Sequence, residues 1–283
     1  MEQINKHTQA RPNIAILLAT YNGEKYIKEQ IDSILSQTHK DWHLFIHDDG
    51  SKDGTPNLLQ AYAEKYPQQI SILNYPPQGG ALHNFMSLLE KVQADYYMFS
   101  DQDDVWHPEK IERSLSAMKE QQSLHPEKPI IVHCDARVVD SQLKVIHPSY
   151  RAYSHIYPEK ITNFKQCVIN VTLGCCMMFN SLAKEVSLSR SWSKALMHDG
   201  WVTTCTYSSG GIVFAIPEAL MEYRNHSNNT IGAVDGGRFT IGYRIKHFKE
   251  MIHKNIQQYR MLRSAGYGSI FAYYYYKFKL HIH

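Results

Sequence analysis

No apolar run in this sequence approaches the roughly 18 residues that a membrane-crossing helix needs, so no spanning helix is expected. The first residues, MEQINKHTQARPN, are polar and lack the apolar stretch of a secretory signal, which points to a chain kept in the cytoplasm but free to lie on a membrane surface. Cysteine is scarce: Cys134, Cys167, Cys175, Cys176 and Cys205 form no CxxC or other zinc-like spacing. Five is an odd number, and buried, reduced thiols are the expectation. Charge of one sign is missing too, since 30 basic against 27 acidic residues leave a net of +3. That balance does not suit a general nucleic-acid binder. Neither GxGxxG nor GxxxxGK[ST] follows the first strand pattern, which argues against a dinucleotide enzyme and a P-loop ATPase. No repeat or low-complexity linker breaks the 283 residues, and 43% hydrophobic content suits a globular chain.

What is present is an alternation of patterns. Asn13 to Thr20 is a short continuous apolar run, the mark of a strand buried on both faces, and Glu24 to Gln37 carries apolar residues at helical spacing. The same order repeats with strands at 42–47, 70–75 and 96–100 and helices at 54–66, 81–92 and 108–121. Four strands alternating with four helices predict an α/β fold with a parallel sheet covered on both faces. Past Pro129 the pattern loosens: 130–139 reads as a strand, 145–165 as irregular, 168–179 as an apolar stretch, 198–208 as a helix, and 212–216 and 220–224 as two strands.

Ligands of open parallel sheets sit beyond the carboxyl ends of the strands. Thr20-Tyr21-Asn22, Asp48-Asp49-Gly50-Ser51 and Asp101-Gln102-Asp103-Asp104 all fall there. Five carboxylates gathered at strand ends repel one another and are costly to desolvate, so something cationic or rich in hydrogen-bond donors must compensate. A D-x-D arrangement suits a hard divalent cation shared with the oxygens of a diphosphate.

The segments ATYNGEKYIKEQIDSILSQT, DDGSKDGT and FSDQDDVWHPEKI resemble the N-terminal half of family 2 inverting glycosyltransferases with the GT-A fold. LGCCMMFN (173–180), HDGW (198–201) and YRNHSNNTIG (223–232) are similar to a bacterial rhamnosyltransferase-like branch that builds cell-surface polysaccharide. The resemblance covers residues 12–232 and implies a GT-A domain, a Rossmann-like mostly parallel sheet flanked by helices, over 1–232, with a C-terminal helical extension over 233–283. It implies that Thr20, Tyr21 and Asn22 line a nucleotide pocket, that Asp49 contacts the base, and that Asp101 lies near the ribose. Asn84 and Arg224 join them in contacting the donor. Asp103 and His226 are implied as ligands of Mn2+ or Mg2+, Gly174 as the loop under the acceptor, and Asp199 as the catalytic base; its alternative reading is a helix N-cap. The sequence departs from these relatives at Gly200, where they usually carry an aromatic residue.

The implied activity is metal-dependent, inverting transfer of a sugar from a nucleotide-diphosphate donor, dTDP-rhamnose or a UDP-hexose, to a surface polysaccharide or a polyprenyl-diphosphate-linked acceptor. The alternatives are a catalytically inactive sugar-nucleotide-binding subunit and a nucleotidyltransferase. Eight of the 19 tyrosines lie after residue 222, and residues 239–283 interleave aromatics with Lys and Arg against one acid, Glu250. That end reads as a membrane-surface helix, or as a helix packed on the domain or on a second copy of the chain. Nucleic acid is not an expected partner.

Overall fold

The computed structural model describes residues 13–226 and 247–281. The N-terminal half follows the expected alternation: β1 (Ile14–Thr20), α1 (Ile27–Leu35), β2 (Trp42–Asp48), α2 (Thr55–Lys65), β3 (Ile70–Ile72), α3 (Ala81–Lys91), β4 (Tyr96–Ser100), β5 (Val105–Trp106) and α4 (Lys110–Leu124). Then come β6 (Ile130–Val139), β7 (Val145–His147), α5 (Tyr150–Tyr153), β8 (Met177–Asn180), α6 (Ser181–Leu188), α7 (His198–Ser208) and β9 (Ile212–Arg224). Two helices close the chain, α8 (Phe248–Ser264) and α9 (Ile270–His281).

One sheet runs in the order β3-β2-β1-β4-β8-β6-β9-β5, with β7 beside β6. β3, β2, β1 and β4 are mutually parallel, in a register that sets Thr20 beside Asp48 and Leu18 beside Ser100. Their carboxyl ends therefore finish at one edge. Both faces of β1 are buried: Ile14, Ile16 and Leu18 join the core under α1, α2 and α4, while Ala15 and Leu17 join the core under α3 and α7. Each such buried Ile or Leu contributes about 1.5–3 kcal/mol, which is why the strand reads as an unbroken apolar run.

Beyond β4 the sheet is mixed. β8 is antiparallel to both β4 and β6, and β5 is antiparallel to β9. β6 and β7 form a hairpin, because the few residues between them are too short for the crossover that a parallel pair requires. The apolar stretch 168–179 is strand only from Met177, and α6 has no counterpart in the expected elements; it starts where the Asn180 side chain accepts the Ala183 N–H. The two strands expected at 212–216 and 220–224 are one, β9. Pro217 between them sits where the register against β6 jumps from His133↔Ala215 to Asp135↔Ala219, so the residue that cannot donate lies in an irregular stretch of the ladder.

The C-terminal helices are docked on the domain. Leu262, Tyr267 and Tyr273 bury against Val168, and Met261 and Ala265 enter the core under α3 and α7. The first residues of the basic helix expected from Phe239, and the division drawn at 232, lie outside the described residues. Among the described residues no helix is long and apolar enough to cross a membrane.

Candidate active site

A cavity of about 840 Å3 opens at the carboxyl edge of the parallel strands. Thr20, Tyr21, Asp49, Asn84, Asp101, Asp103, Gly174 and Asp199 all line it, so residues from β1, β2, α3, the acidic loop after β4, the 174–176 turn and α7 meet in one space. The first wall is the end of β1. The buried Thr20 donates its hydroxyl to Gln102 Oε1 at 2.6 Å, and the Tyr21 N–H donates to the same oxygen at 2.9 Å. Gln102 thereby laces the first strand to the acidic loop. Tyr21 leaves its ring 55% exposed at the rim, a flat surface on which a base can stack. Asn22 does not line the cavity. With φ at +49° it makes the turn, accepting the Lys52 N–H while its own N–H donates to Ser51 Oγ, and so it ties the β1 and β2 turns together.

Asp49 accepts the backbone N–H groups of Gly79 at 3.2 Å and Gly80 at 2.7 Å, and that of Gln78. This holds the loop before α3 across the cavity; Gly79 and Gly80 both have positive φ, with nothing within 4 Å of an added Cβ. Asn84 is buried on α3. Its side chain bonds His47 Nδ1 at 2.8 Å and the His47 carbonyl at 3.2 Å, and the His47 ring stacks on Tyr75 at 3.6 Å.

The acidic loop is where electrostatics concentrate. Burial, then the neighbouring carboxylates of Asp103 and Asp199, pushes Asp101 up to about 7. Burial also raises Asp103, against the pull of His226, whose Nε2 sits 2.9 Å from Asp103 Oδ2 while its ring stacks on Tyr26. Two cations behind the loop supply part of the compensation. Lys110 is buried, its ammonium 3.6 Å from the Trp106 ring centroid and donating to the Cys175 carbonyl. Arg224 is buried under the loop: it donates from Nε to the Asp103 carbonyl at 2.7 Å and from Nη1 to the Ser141 carbonyl at 2.8 Å, and it pairs with Glu29. Arg224 does not line the cavity. The guanidinium expected to face a donor phosphate instead supports the backbone of the acidic loop.

Three ligand atoms, from Asp101, Asp104 and Cys175, also lie within 4.8 Å of one another. Burial raises the Cys175 thiol well above its ordinary value, so the sulfur is protonated. Asp104 is buried behind the cavity wall, with one oxygen taking the Arg224 N–H and the other lacking a hydrogen-bond partner among the described residues. The donors that reach the cavity are the oxygens of Asp101 and Asp103; His226 does not line it, but its imidazole bonds Asp103 from behind. Oxygen and imidazole donors fit a hard or borderline divalent cation such as Mg2+ or Mn2+, whereas a sulfur donor favours softer metals.

Asp199 lies on another wall of the cavity. It occupies the first turn of α7, but the N-cap position is Met197, so the helix-cap alternative does not hold. Its Oδ1 accepts the Gly200 N–H at 2.6 Å and its Oδ2 accepts Asn170 Nδ2 at 3.1 Å. Burial raises its carboxyl while these two donors oppose the rise. His198 beside it packs on Phe85 at 3.9 Å, and burial lowers it to about 3, so the ring is neutral. A Cβ on Gly174 would come within 2.6 Å of His198 Nε2, so the close approach of this turn to α7 requires glycine. At Gly200 an added Cβ would meet only Asn170, at 3.6 Å. All five cysteines are buried free thiols, as their spacing suggested.

Several lining residues were not foreseen. Gln102 sits inside the D-x-D segment, and its position there was the available signal. Asn170 and Thr172 come from a stretch without regular structure, and Thr172 bonds Thr203 of α7 at 2.7 Å. Gln258 and Met261 belong to α8, so the C-terminal extension forms part of the cavity wall.

The sequence pattern described as Glycosyl transferase family 2 matches residues 15–185. A dTDP-rhamnosyl transferase, RfbG of Shigella flexneri, is 29% identical over 226 residues, covering 76% of this chain and 74% of its own. A putative teichuronic acid biosynthesis glycosyltransferase, TuaG of Bacillus subtilis, is 35% identical over 113 residues, covering 40% of this chain and 44% of its own. In fold the chain is similar to the mannosyltransferase PcManGT of Pyrobaculum calidifontis in complex with GDP-Man and Mn2+, with a TM-score of 0.59 at 16% identity over 96% of this chain and 80% of that one. It is also similar to residues 1–349 of S. aureus TarS in complex with UDP-GlcNAc, with a TM-score of 0.56 at 16% identity over 81% of this chain and 62% of that one. The parallel half-sheet with its acidic cavity at the carboxyl edge, and a family pattern covering more than half of the sequence, establish that the chain belongs to glycosyl transferase family 2, the nucleotide-sugar glycosyltransferases of GT-A fold.

Proposed function

We propose that this glycosyltransferase moves a sugar, with inversion and with the help of a divalent cation, from a nucleotide-diphosphate donor to a surface polysaccharide or its polyprenyl-diphosphate-linked precursor. The observation that carries this reading is the single cavity faced by the Asp101–Asp103 pair, with Asp103 bonded to His226, and by Asp199 from a different element. The donor preference proposed is dTDP-rhamnose or a UDP-hexose; the likeness to RfbG supports the first. The likeness to RfbG and TuaG supports a role in polysaccharide biosynthesis.

In this reading the nucleotide lies along Thr20, Tyr21 and Asp49, with its base against the Tyr21 ring. Asp103 and His226 hold Mn2+ or Mg2+ with Asp101 beside them, and the cation supplies charge stabilisation for the departing diphosphate. Asp199 accepts the proton of the acceptor hydroxyl as that oxygen forms its bond to the anomeric carbon. The bond from that carbon to the β-phosphate oxygen breaks, and its electron pair leaves with the nucleoside diphosphate. One displacement needs one base and no covalent intermediate, which agrees with the protonated, buried state of the cysteines. Asn170 orients the Asp199 carboxylate through its amide.

Thermal unfolding with UDP-, dTDP- and GDP-sugars, with and without Mn2+, tests the reading, because a ligand of the folded state raises its melting temperature. The expected result is one donor class that stabilises the protein only with the cation and releases nucleoside diphosphate when a glycan acceptor is added. Binding without turnover would identify an inactive sugar-nucleotide-binding subunit. Pyrophosphate formed from a sugar phosphate and a nucleoside triphosphate would identify a nucleotidyltransferase.

A further inference from the structure

Helix α9 has two unlike faces. Tyr273 is fully buried and Leu280 packs beside it in the core formed with Val168, Leu262 and Tyr267. On the opposite side Phe271 is 84% exposed, Phe278 70%, Tyr275 60% and Tyr274 42%. Positions 271, 274, 275 and 278 follow the i, i+3, i+4, i+7 spacing of a single helical stripe. Isolated exposed apolar residues are ordinary, but four large aromatics on one stripe of one helix mark a binding surface.

The two C-terminal helices that carry this stripe are basic. Residues 247–281 carry Lys249, Lys254, Arg260, Arg263, Lys277 and Lys279 against the single acid Glu250. Lys249, Lys254, Arg260, Arg263 and Lys279 are exposed. A second copy of the chain meeting this face would bring two basic surfaces together, which costs free energy. An anionic bilayer offers the complementary charge, and its headgroup region accommodates Phe and Tyr rings.

We propose that the Phe271–Tyr274–Tyr275–Phe278 face of α9 docks on the surface of an anionic lipid bilayer. The buried side of the same helix is tied to the catalytic cavity. Lys277 Nζ donates to Gln258 Oε1 at 2.7 Å and the Tyr273 hydroxyl donates to the same oxygen at 2.9 Å, and Gln258 lines the cavity. Docking through α9 therefore fixes a wall of the cavity relative to the lipid surface, which suits a lipid-linked acceptor. The docking itself is independent of the proposed reaction and is measured without substrate.

The test is co-sedimentation of the full chain with phosphatidylcholine vesicles, with and without phosphatidylglycerol, at low and high salt. Binding is expected only with phosphatidylglycerol and is expected to weaken as salt screens the charges. The pair Phe271→Ser and Phe278→Ser, on the exposed face, should leave the melting temperature unchanged and weaken vesicle binding by about tenfold or more. Charge reversal at Lys249, Arg260 and Lys279 should weaken it while the aromatic stripe is intact. Equal binding to both vesicle types, or no loss in the Phe271/Phe278 variant, would overturn the proposal. So would a dimer in sedimentation velocity that this variant dissociates while the wild type ignores the vesicles.

Discussion

The cavity at the carboxyl edge of the sheet and the outer face of α9 are opposites in charge and in solvation. At the cavity, Asp101, Asp103 and Asp199 are drawn together and partly desolvated, and the carboxyl of each is raised by burial. On the C-terminal helices Lys249, Arg260 and Lys279 are exposed, and α9 also presents exposed aromatic rings. Clustered acids need a cation or bonded donors to offset them, and His226, Asn170 and the Gly200 N–H supply part of that offset. Solvated bases need no offset and serve as a surface. A formal net charge of +3 thus averages two spatially segregated populations, acids at the cavity and bases on the C-terminal helices. The link between them is structural, because Gln258 belongs to the cavity wall and also accepts hydrogen bonds from α9.

The largest expected effect lies inside the cavity. Replacing Asp199 by Asn keeps the shape and removes the proposed base, and transfer should fall about 10²–10⁴-fold, read as kcat in a coupled nucleoside-diphosphate release assay. Asp103→Asn should lower turnover about 10²–10³-fold by removing charge stabilisation of the leaving diphosphate. Chelation of divalent cations from the wild type should reproduce that loss, and added Mn2+ should reverse it. If Asp103→Asn keeps its response to Mn2+, the Asp101–Asp104 pair holds the cation instead.

A smaller effect concerns fold more than chemistry. Gly174→Ala places a Cβ 2.6 Å from His198 Nε2 and should cost about 1–3 kcal/mol, seen as a lowered melting temperature. His198→Ala in the same chain should recover part of it; no recovery would mean that the turn is constrained by its own backbone.

The smallest effect belongs to the helical pair. Burial lowers Lys277 to about 8, so the folded state holds its proton less tightly than the unfolded chain does. The cost of burying the charged ammonium is therefore present below pH 8 and is relieved as pH rises from about 8 toward the ordinary value of 10.5. Relative to Lys277→Met, the wild type should gain melting temperature between neutral pH and pH about 9.5. A constant difference across that range would show that the hydrogen bonds to Asn255, Gln258 and Tyr273 carry the lysine without cost.

Most of the half-sheet that frames the cavity was legible in the sequence, because strands buried on both faces must be continuous apolar runs and their helices must carry a period of 3.6. The second half was less legible for physical reasons. β8 is set by pairing with β4 and β6, a tertiary fact, whereas α6 begins at the local Asn180 cap but spans only eight residues, too few for a clear helical period. Pro217 divided β9 in the sequence, yet a register irregularity absorbs it in the structure. Among the proposed site residues, Thr20, Tyr21, Asp49, Asn84, Asp101, Asp103, Gly174 and Asp199 converge on one cavity. Asn22, Arg224 and His226 lie outside its lining, and His226 touches it only through Asp103. A guanidinium's charge is evident from sequence, but the direction it points is decided by the carbonyls of Asp103 and Ser141 and by Glu29. Gln258 and Met261 were hidden because a distant amphipathic helix gives no sign of which surface it will cover.

In the proposed reaction the acidic loop takes the nucleotide end of the donor while Asp199 acts only on the acceptor. Titrating nucleoside diphosphates into Asp103→Asn and Asp199→Asn, each with and without Mn2+, separates the two roles most directly. The Mn2+-dependent part of binding should disappear in Asp103→Asn and survive in Asp199→Asn, although both variants lose transfer. Loss of that part in both, or its survival in both, would contradict it.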